Sequence, residues 1–196
     1  IKTRPTVPGR SIVTFIPEPP TGTRTSFESA TKGHGAAGVN VAASSTATVK
    51  GECLRDTAAT LAAMKCDLVV VRHKYAGSPQ MLTEVMDCSI VNGGDGMHQH
   101  PTQALLDLYT MKQKLGSLEG LTVGIVGDIC HSRVAGSLVP ALKMMGARPI
   151  IIPPPTLLPA RPDILGAEVS FDLDSVLGEL DVAYMLRIQM ERAAGM

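Results

Sequence analysis

Short apolar runs, separated by segments with helical spacing, fill the first half of the chain. Four runs have the length and the β-branched composition of strands, and they lie at residues 11–16, 38–43, 67–73 and 88–94. The run at 67–73 is continuously apolar, which is typical of a parallel strand that is buried on both faces. Helical spacing follows each run, opening near 23–26 and then covering residues 52–64, 78–86 and the stretch from 101 onwards.

The alternation resumes after a short polar joint at residues 116–120. Strands are predicted at 121–128, 148–156 and 181–192, a helix at 133–145, and a short strand followed by a helix within 167–180. Repeated strand–helix alternation predicts an α/β fold in which each of two domains has a mostly parallel sheet flanked by helices. We therefore expect one domain at residues 1–115 and a second at residues 116–196.

Composition excludes several classes of function. With 44% hydrophobic and 18% charged residues, the chain has the balance of a globular protein with a real core. A net charge of zero gives no support for binding to nucleic acid or to an anionic membrane surface. No apolar run reaches transmembrane length, and the first residues lack the core of a signal peptide. The four scattered cysteines suggest reduced thiols in a cytosolic protein, with neither a disulfide framework nor a zinc site.

The candidate chemistry is densest around His100. This histidine follows a Gly-Asp-Gly turn and directly precedes Pro101, which favours a first helical position because it lacks an N–H. Gln103 then falls in the first helical turn. The positive end of a helix, an imidazole and an amide together suit a polarised carbonyl or an anion. From these residues alone, a simple helix cap is the favoured interpretation of His100.

Three further positions carry candidate chemistry, each with an ordinary alternative. Thr21 and Thr23 open a helix after a strand, where they suit an anion or merely cap the helix. Arg72 stands at the carboxyl end of a predicted strand, the end at which open α/β sheets bind ligands. Lys50 ends a small, polar loop and by itself suggests only a solvated surface charge. A dinucleotide site is weakly supported, because Gly124 and Gly127 do not form a complete glycine motif.

Several stretches, in order along the chain, carry a family resemblance. They are EPPTGTRTSFE at 18–28, VKGECLRDT at 49–57, VVVRH at 69–73, GDGMHQHPTQALLDLYT at 94–110, and the pair GDICHSRVAGSL at 127–138 and MLRIQMER at 185–192. Together they resemble the aspartate/ornithine carbamoyltransferase family, and within it the aspartate carbamoyltransferases. The resemblance covers nearly the whole chain.

The resemblance implies an activity and a set of partners. The family transfers the carbamoyl group of carbamoyl phosphate to the amine of L-aspartate in pyrimidine biosynthesis, and phosphate is released. It implies a cytoplasmic homotrimer whose active sites are shared between subunits, with no cofactor and no metal. A regulatory subunit or a dihydroorotase is a further candidate partner.

The resemblance also assigns roles to residues. It places carbamoyl phosphate on Thr21, Thr23, Arg72, His100 and Gln103. It places L-aspartate on Lys50, Arg133, Arg187 and Gln189, with Lys50 coming from the neighbouring subunit. The expected catalytic residues are His100, Arg72, Thr23 and Lys50. These roles agree with the chemistry, because an intermediate that gathers negative charge is stabilised by positioned donors and cations, and guanidinium groups suit carboxylates.

The chain departs from the family pattern at the phosphate motif and at its ends. The family motif S-T-R-T-R is replaced by P-T-G-T-R at residues 20–24, so that a serine hydroxyl and an arginine are lost at Pro20 and Gly22. The family's N-terminal helix and the part beyond the aspartate-binding strand are expected to be missing. We therefore predict an impaired transferase. The alternative is a non-catalytic structural or regulatory homologue that assembles with an active partner.

Overall fold

The computed structural model describes residues 5–17, 21–41 and 54–189. These residues form two compact units, one ending at Gly96 and the other beginning at Met97. Each unit contains a four-stranded sheet in which every recorded strand pairing is parallel. This arrangement confirms the predicted α/β fold with two parallel sheets flanked by helices.

The first unit alternates strands and helices. Its elements are β1 (Ser11–Phe15), α1 (Thr21–Gly33), β2 (Ala37–Val41), α2 (Leu54–Ala63), β3 (Leu68–His73), α3 (Ser78–Thr83) and β4 (Ser89–Asp95). The strand order is β2-β1-β3-β4, which places β1 and β3 at the centre. Their β-branched and aromatic side chains form the core with Leu61 of α2 and Leu82 of α3, both almost fully buried. The continuous apolar run at 67–73 is therefore a central strand, as its composition predicts.

The second unit repeats the plan. Its elements are α4 (Pro101–Leu115), β5 (Thr122–Val126), α5 (Arg133–Met144), β6 (Arg148–Ile152), β7 (Glu168–Val169), α6 (Leu173–Val176) and β8 (Val182–Met185). The strand order is β7-β6-β5-β8. Its core joins β5 and β6 to the inner faces of α4 and α5, where Leu108 and Leu138 are buried.

Helix α4 packs with the second unit. Ala104, Leu108 and Met111 of this helix belong to the same core cluster as Leu138 and Val139 of α5. The division into compact units therefore falls after Gly96, upstream of the polar joint at 116–120. The functional boundary after residue 115 concerns which domain binds which substrate, and it stays a prediction.

Several predicted elements are longer than the observed ones, among them the strand predicted at 148–156, which ends at Ile152 before the prolines. The helix predicted at 78–86 ends at Thr83. The segment 167–180 holds a two-residue strand and a four-residue helix, followed by a 3-10 turn. The strand predicted at 181–192 ends at Met185, and residues 190–192 lie outside the described part of the chain. Hydrophobic periodicity does not reveal where these elements end, because turns and contacts to distant segments terminate them.

Candidate functional site

The order of strands in the first unit points to its carboxyl edge. The chain passes from β1 to β2 on one side and then returns to β3 on the other side of β1. Open α/β sheets bind ligands at such a reversal, outside the carboxyl ends of the two central strands. Arg72 lies at that end of β3, and the segment after β1 leads to the start of α1. The sheet topology therefore supports a ligand site around these two segments.

Thr23 and Arg72 are in contact at this edge. The guanidinium of Arg72 donates a hydrogen bond through Nη1 to the hydroxyl oxygen of Thr23, at 2.9 Å. Thr23 lies in the first turn of α1, where backbone N–H groups have no partner within the helix. An arginine, a hydroxyl and a helix amino end are thus together, and this combination favours an anion. Residues 18–20 and the side chain of Thr21 lie outside the part of the chain that the structure describes.

The other residues of the altered phosphate motif behave differently. Arg24 donates through Nη2 to the carbonyl oxygen of Ile16 at 3.1 Å, and so ties α1 to the end of β1. Gly22 is exposed, and among the described residues no atom lies within 4 Å of a Cβ atom built on it. A larger side chain at position 22 is therefore sterically compatible with the helix.

The Gly-Asp-Gly turn supports the segment that follows Arg72. The carboxylate of Asp95 accepts a hydrogen bond from the N–H of Gly77 at 2.8 Å and another from the Asn92 amide at 2.9 Å. A Cβ atom at Gly96 would lie 2.8 Å from the backbone nitrogen of Ala76, so the two turns approach too closely for a side chain. The sequence shows this turn, but not that its role is to hold the end of β3.

His73 holds the same turn from the other side. Its Nδ1 accepts a hydrogen bond from the N–H of Tyr75 at 3.2 Å and lies 3.0 Å from the hydroxyl of Ser78. The ring is 4% exposed and stacks on Phe15. Sequence reasoning missed His73 and Asp95 as supports of this turn. Asp95 reaches Gly77 only after folding, and His73 acts through contacts with Tyr75 and Ser78 that no motif indicates.

In the second unit, His100 occupies the N-cap position of α4, and Pro101 is the first helical residue, as the sequence predicts. The His100 N–H donates to the hydroxyl of Ser137 at 2.9 Å. Within the described part of the chain, its imidazole makes no capping hydrogen bond to the first turn of α4. Its Nδ1 instead lies 3.4 Å from the hydroxyl of Thr102. The ring therefore does not cap the helix, although the residue stands at the N-cap position.

Gln103 is the third residue of α4 and lies in its first turn. Its amide nitrogen donates to a carboxylate oxygen of Asp107 at 2.9 Å. Both side chains are half-buried. The amide is therefore held by its own helix.

The second sheet has its own reversal of strand order, between β5 and β8. Here the buried carboxylate of Asp128 accepts hydrogen bonds from the N–H of His131 at 3.0 Å and from the N–H of Gln189 at 3.0 Å. The imidazole Nδ1 of His131 lies 2.9 Å from the same carboxylate. Burial opposes ionisation of Asp128, but these hydrogen bonds outweigh it and lower its pKa. Asp128 was not among the predicted site residues, although it belongs to the stretch at 127–138 that carries part of the family resemblance.

A glycine permits this junction. Gly127 has a φ of +116°, and a Cβ atom there would lie 2.6 Å from the carbonyl oxygen of Leu186. The N–H of Leu186 in turn donates to the carbonyl of Val126 at 2.7 Å. The end of β5 therefore runs directly against the segment that follows β8, which Asp128 then holds through Gln189.

The predicted aspartate-binding residues flank this junction. Arg133 is the first residue of α5 and is 4% exposed, behind the N-cap Ser132. Arg187 is exposed, and its guanidinium donates to the side-chain oxygen of Gln189 at 3.2 Å. The loop from 128 to 133 and the segment 187–189 are thus joined through Asp128. Lys50 lies outside the described residues.

A separate cavity of about 400 Å³ lies near the amino ends of β3 and β4. It is lined by Ala62, Lys65, Cys66, Val85, Met86, Asp87 and Cys88. Burial raises the pKa of the Cys88 thiol, and the neighbouring Cys66 raises it further. A thiol held protonated is a poor nucleophile, and parallel sheets bind ligands at the opposite edge. This cavity therefore does not compete with the carboxyl edge as the functional site.

The described residues lack two further features. Among these residues, no helix is long and apolar enough to span a membrane. Nor do any three histidine, cysteine, aspartate or glutamate side chains of the described part come together in a way that suits a metal ion.

Curated relatives match almost the whole chain. The aspartate carbamoyltransferase catalytic subunit of Moorella thermoacetica is 50% identical over 192 residues, which cover 98% of this chain and 62% of that protein. The protein of the same name from Syntrophotalea carbinolica is 51% identical over 192 residues, which cover 98% and 61%. The chain thus spans about three-fifths of the length of these relatives.

Solved structures agree with the sequence matches. Aspartate transcarbamoylase from Trypanosoma cruzi, in complex with carbamoyl aspartate and phosphate, superposes with a TM-score of 0.86 at 30% identity, covering 96% of this chain and 65% of that one. The catalytic subunit of M. jannaschii aspartate transcarbamoylase superposes with a TM-score of 0.82 at 34% identity, again covering 96% and 65%. The observed fold is therefore that of the carbamoyltransferases.

A family model identifies the first part of the chain. The model described as aspartate/ornithine carbamoyltransferase, carbamoyl-P binding domain, matches residues 1–113. Its end lies within α4, close to the predicted joint at 116–120. Since this match covers more than half of the sequence, the chain belongs to the aspartate/ornithine carbamoyltransferase family.

Proposed function

We propose that the chain takes part in transferring the carbamoyl group of carbamoyl phosphate to L-aspartate, giving N-carbamoyl-L-aspartate and phosphate. The observation that carries the proposal is the contact between Arg72 and Thr23 at the helix amino end beside the strand reversal. Aspartate is favoured over ornithine, because relatives at 50% identity bear the name aspartate carbamoyltransferase. Solved structures of the Trypanosoma cruzi protein contain carbamoyl phosphate, aspartate, or carbamoyl aspartate with phosphate.

In the proposed reaction, the aspartate amine attacks the carbonyl carbon, the bond from that carbon to the phosphate oxygen breaks, and one proton of the amine leaves with the phosphate. Arg72, Thr23 and His100 polarise the carbonyl oxygen, where negative charge develops in the intermediate. Thr21 and the first turn of α1 hold the departing phosphate. Gln103 binds the amino group of the carbamoyl moiety. These roles use neutral hydrogen-bonding groups and guanidinium groups, and no step is assigned to a metal.

The acceptor is held by the second unit in this proposal. Arg133, Arg187 and Gln189 bind the carboxylates of aspartate, with Lys50 contributed by a neighbouring subunit. The fixed segment at Gln189 supports the assignment, because the Asp128 hydrogen bond holds it beside the loop that leads to Arg133. Guanidinium groups on such anchored segments suit a dicarboxylate.

We also propose that the chain has reduced activity, because the phosphate motif lacks the serine and the first arginine. Loss of one preorganised donor typically lowers the rate by about a hundred- to a thousand-fold. The open space around Gly22 supports a direct repair with Pro20→Ser and Gly22→Arg. The matched control adds Gly178→Arg instead of Gly22→Arg, because Gly178 also has open space but lies in the second unit.

The test is the formation of N-carbamoyl-L-aspartate by the parent, the repaired chain and the control. We expect a gain of about a hundred-fold or more only in the repaired chain. Adding Arg72→Gln to the repaired chain is expected to abolish the gain, whereas Arg161→Gln, which removes an exposed arginine paired with Asp163, leaves it unchanged. Transfer to ornithine in place of aspartate, or insensitivity to Arg72→Gln, would overturn the proposal.

We further propose a homotrimer with sites shared between subunits. The name catalytic subunit, borne by the relatives, supports assembly. Mixing a Lys50→Ala chain with an Arg72→Gln chain, both in the repaired background, is expected to restore part of the activity, because some shared sites then contain both native residues. A mixture as inactive as either variant, or a monomeric mass by light scattering, contradicts this assembly.

The cellular setting completes the proposal. We place the protein in the cytoplasm, in pyrimidine biosynthesis, with a regulatory subunit or a dihydroorotase as the candidate partner. The pathway follows from the names of the relatives. Fractionation of cells followed by purification of the native assembly tests both the compartment and the partner.

A further inference from the structure

Three polar side chains link α4 to β8 within the second unit. Gln103 donates through Nε2 to one oxygen of Asp107 at 2.9 Å. The hydroxyl of Tyr184 donates to the other oxygen of the same carboxylate, also at 2.9 Å. Gln103 and Asp107 are one helical turn apart on α4, whereas Tyr184 comes from the strand next to β5. The roles proposed above do not use Asp107 or Tyr184.

The chemistry of the carboxylate decides how the Gln103 amide is oriented. An ionised carboxylate only accepts hydrogen bonds, so Gln103 must turn its NH₂ group, not its carbonyl oxygen, towards Asp107. Burial raises the pKa of Tyr184, and its hydrogen bond to Asp107 raises it further. The tyrosine hydroxyl therefore stays protonated and donates. With a donor on each oxygen, the carboxylate is held between the helix and the strand.

The amide orientation has a consequence at its other end. Since Nε2 points to Asp107, the carbonyl oxygen Oε1 occupies the other branch of the amide. An amide that was free to rotate would offer an acceptor and a donor about equally, because the two ends are similar in size. The bond to Asp107 removes that ambiguity and presents Oε1 as a hydrogen-bond acceptor.

We propose that Asp107 and Tyr184 are positioning residues that orient the Gln103 amide, so that Oε1 selects an acyl phosphate bearing an amino group. This inference rests on the proposed function, in which Gln103 contacts the carbamoyl nitrogen. A fixed acceptor favours the carbamoyl NH₂ over a methyl group of similar size, since the methyl group leaves the acceptor without its hydrogen bond. The pair therefore sets the preference for carbamoyl phosphate over acetyl phosphate.

The test compares these two ligands, which differ at the single group in question. Affinities for carbamoyl phosphate and acetyl phosphate are measured by calorimetry on the full chain. In Asp107→Asn, the new amide can donate to Gln103, so that Oε1 can turn away from the ligand. We expect carbamoyl phosphate to bind about tenfold more weakly, as for the loss of one hydrogen bond, with acetyl phosphate unchanged. The selectivity ratio falls by the same factor.

Two further variants separate positioning from folding. Tyr184→Phe keeps the ring but removes the donor to Asp107, and a smaller loss of the same selectivity is expected. Asp163→Asn makes the same chemical change at an exposed carboxylate of the same unit, paired with Arg161, and should leave both affinities unchanged. If Asp107→Asn does not fold, as judged by thermal unfolding, Tyr184→Phe decides the question.

The outcomes distinguish this inference from the function on which it rests. If Asp107→Asn, or Tyr184→Phe where it decides, weakens both ligands equally or neither of them, the positioning role is wrong while the proposed transferase is unaffected. If the parent binds both acyl phosphates without preference, the selectivity is likewise refuted. If the parent and the repaired chain bind neither ligand, the proposed function fails and the inference fails with it.

Discussion

At the scale of single residues, Asp67 ties two central strands together at the amino end of the first sheet. Its carboxylate accepts hydrogen bonds from the N–H of Ser11 at 2.7 Å and from the guanidinium of Arg10 at 2.6 Å. The backbone bond from Ser11 is the largest cause, followed by Arg10, and together they lower the pKa of Asp67 from 3.8 to about 2. One side chain thus links β1 to the start of β3.

This lowered pKa predicts a pH dependence. A carboxyl with a depressed folded pKa adds stability that is present above its unfolded pKa and is lost as pH falls through the folded pKa. We expect the unfolding free energy of the parent to fall between about pH 4 and pH 2 more steeply than that of Asp67→Asn. Denaturant unfolding across this range measures the difference. Arg10→Gln should keep most of the dependence, and identical pH profiles for the parent and Asp67→Asn would count against this account.

At the scale of elements, the junction between β5 and the segment after β8 depends on Gly127. Its φ of +116° and the carbonyl oxygen of Leu186, 2.6 Å from a built Cβ atom, leave no room for a side chain. Gly120 also has a positive φ, +79°, but no atom of the described residues lies within 4 Å of its Cβ position. The two glycines therefore separate backbone strain from steric overlap.

Alanine substitutions test this difference. Gly120→Ala is expected to cost about 1–3 kcal/mol of stability through its backbone conformation alone. Gly127→Ala should cost more than Gly120→Ala, because the Leu186 segment must also move. Urea unfolding of the two variants gives the comparison. Equal losses would show that the junction adapts without strain.

Elements also show how far the sequence predicts this fold and why it stops there. The run at 67–73 predicts its strand well, because a central strand is apolar on both faces. The strand expected at 181–192 ends at Met185, and the N–H of Gln189 further along bonds to the carboxylate of Asp128, just after the neighbouring strand β5. Periodicity within a segment contains no information about such a partner.

The candidate site divides in the same way. His100 at the start of α4 follows from local signals, namely a Gly-Asp-Gly turn, a proline and an apolar helix. Asp107 and Tyr184 do not, because they are 77 positions apart and meet only after folding. The predicted roles of Thr23 and Arg72 rest on the resemblance, and the structure adds their contact at the strand reversal.

At the scale of the whole molecule, the proposed function places phosphate and the acceptor carboxylates on different units, although His100 and Gln103 of the second unit are also assigned to carbamoyl phosphate. Arg72 belongs to the first unit and Arg187 to the second. Phosphate is assigned to the first, and the acceptor carboxylates to the second. Ligands that bind only the folded state raise the unfolding temperature, so each assignment has a thermal signature.

We predict that loss of the aspartate-binding arginine leaves stabilisation by phosphate intact, whereas loss of Arg72 removes it. Arg187→Gln should keep the stabilisation by phosphate but lose the further stabilisation when L-aspartate is added in excess phosphate. Arg72→Gln should lose the phosphate effect itself. Arg161→Gln, an exposed arginine of the second unit, is expected to keep both. Thermal unfolding with each ligand measures the shifts, and loss of the phosphate effect in Arg187→Gln would contradict the division.

The hydrogen bond between Asp128 and Gln189 bears on how this family can acquire new acceptors. Asp128 binds the main-chain N–H of residue 189 and not its side chain. Any residue except proline supplies that N–H, so the side chain at 189 can be exchanged without releasing the segment from β5. If Gln189 binds the acceptor as proposed, acceptor preference can change at this position without loss of the backbone anchor, and saturation mutagenesis at residue 189 offers a starting point for redesign.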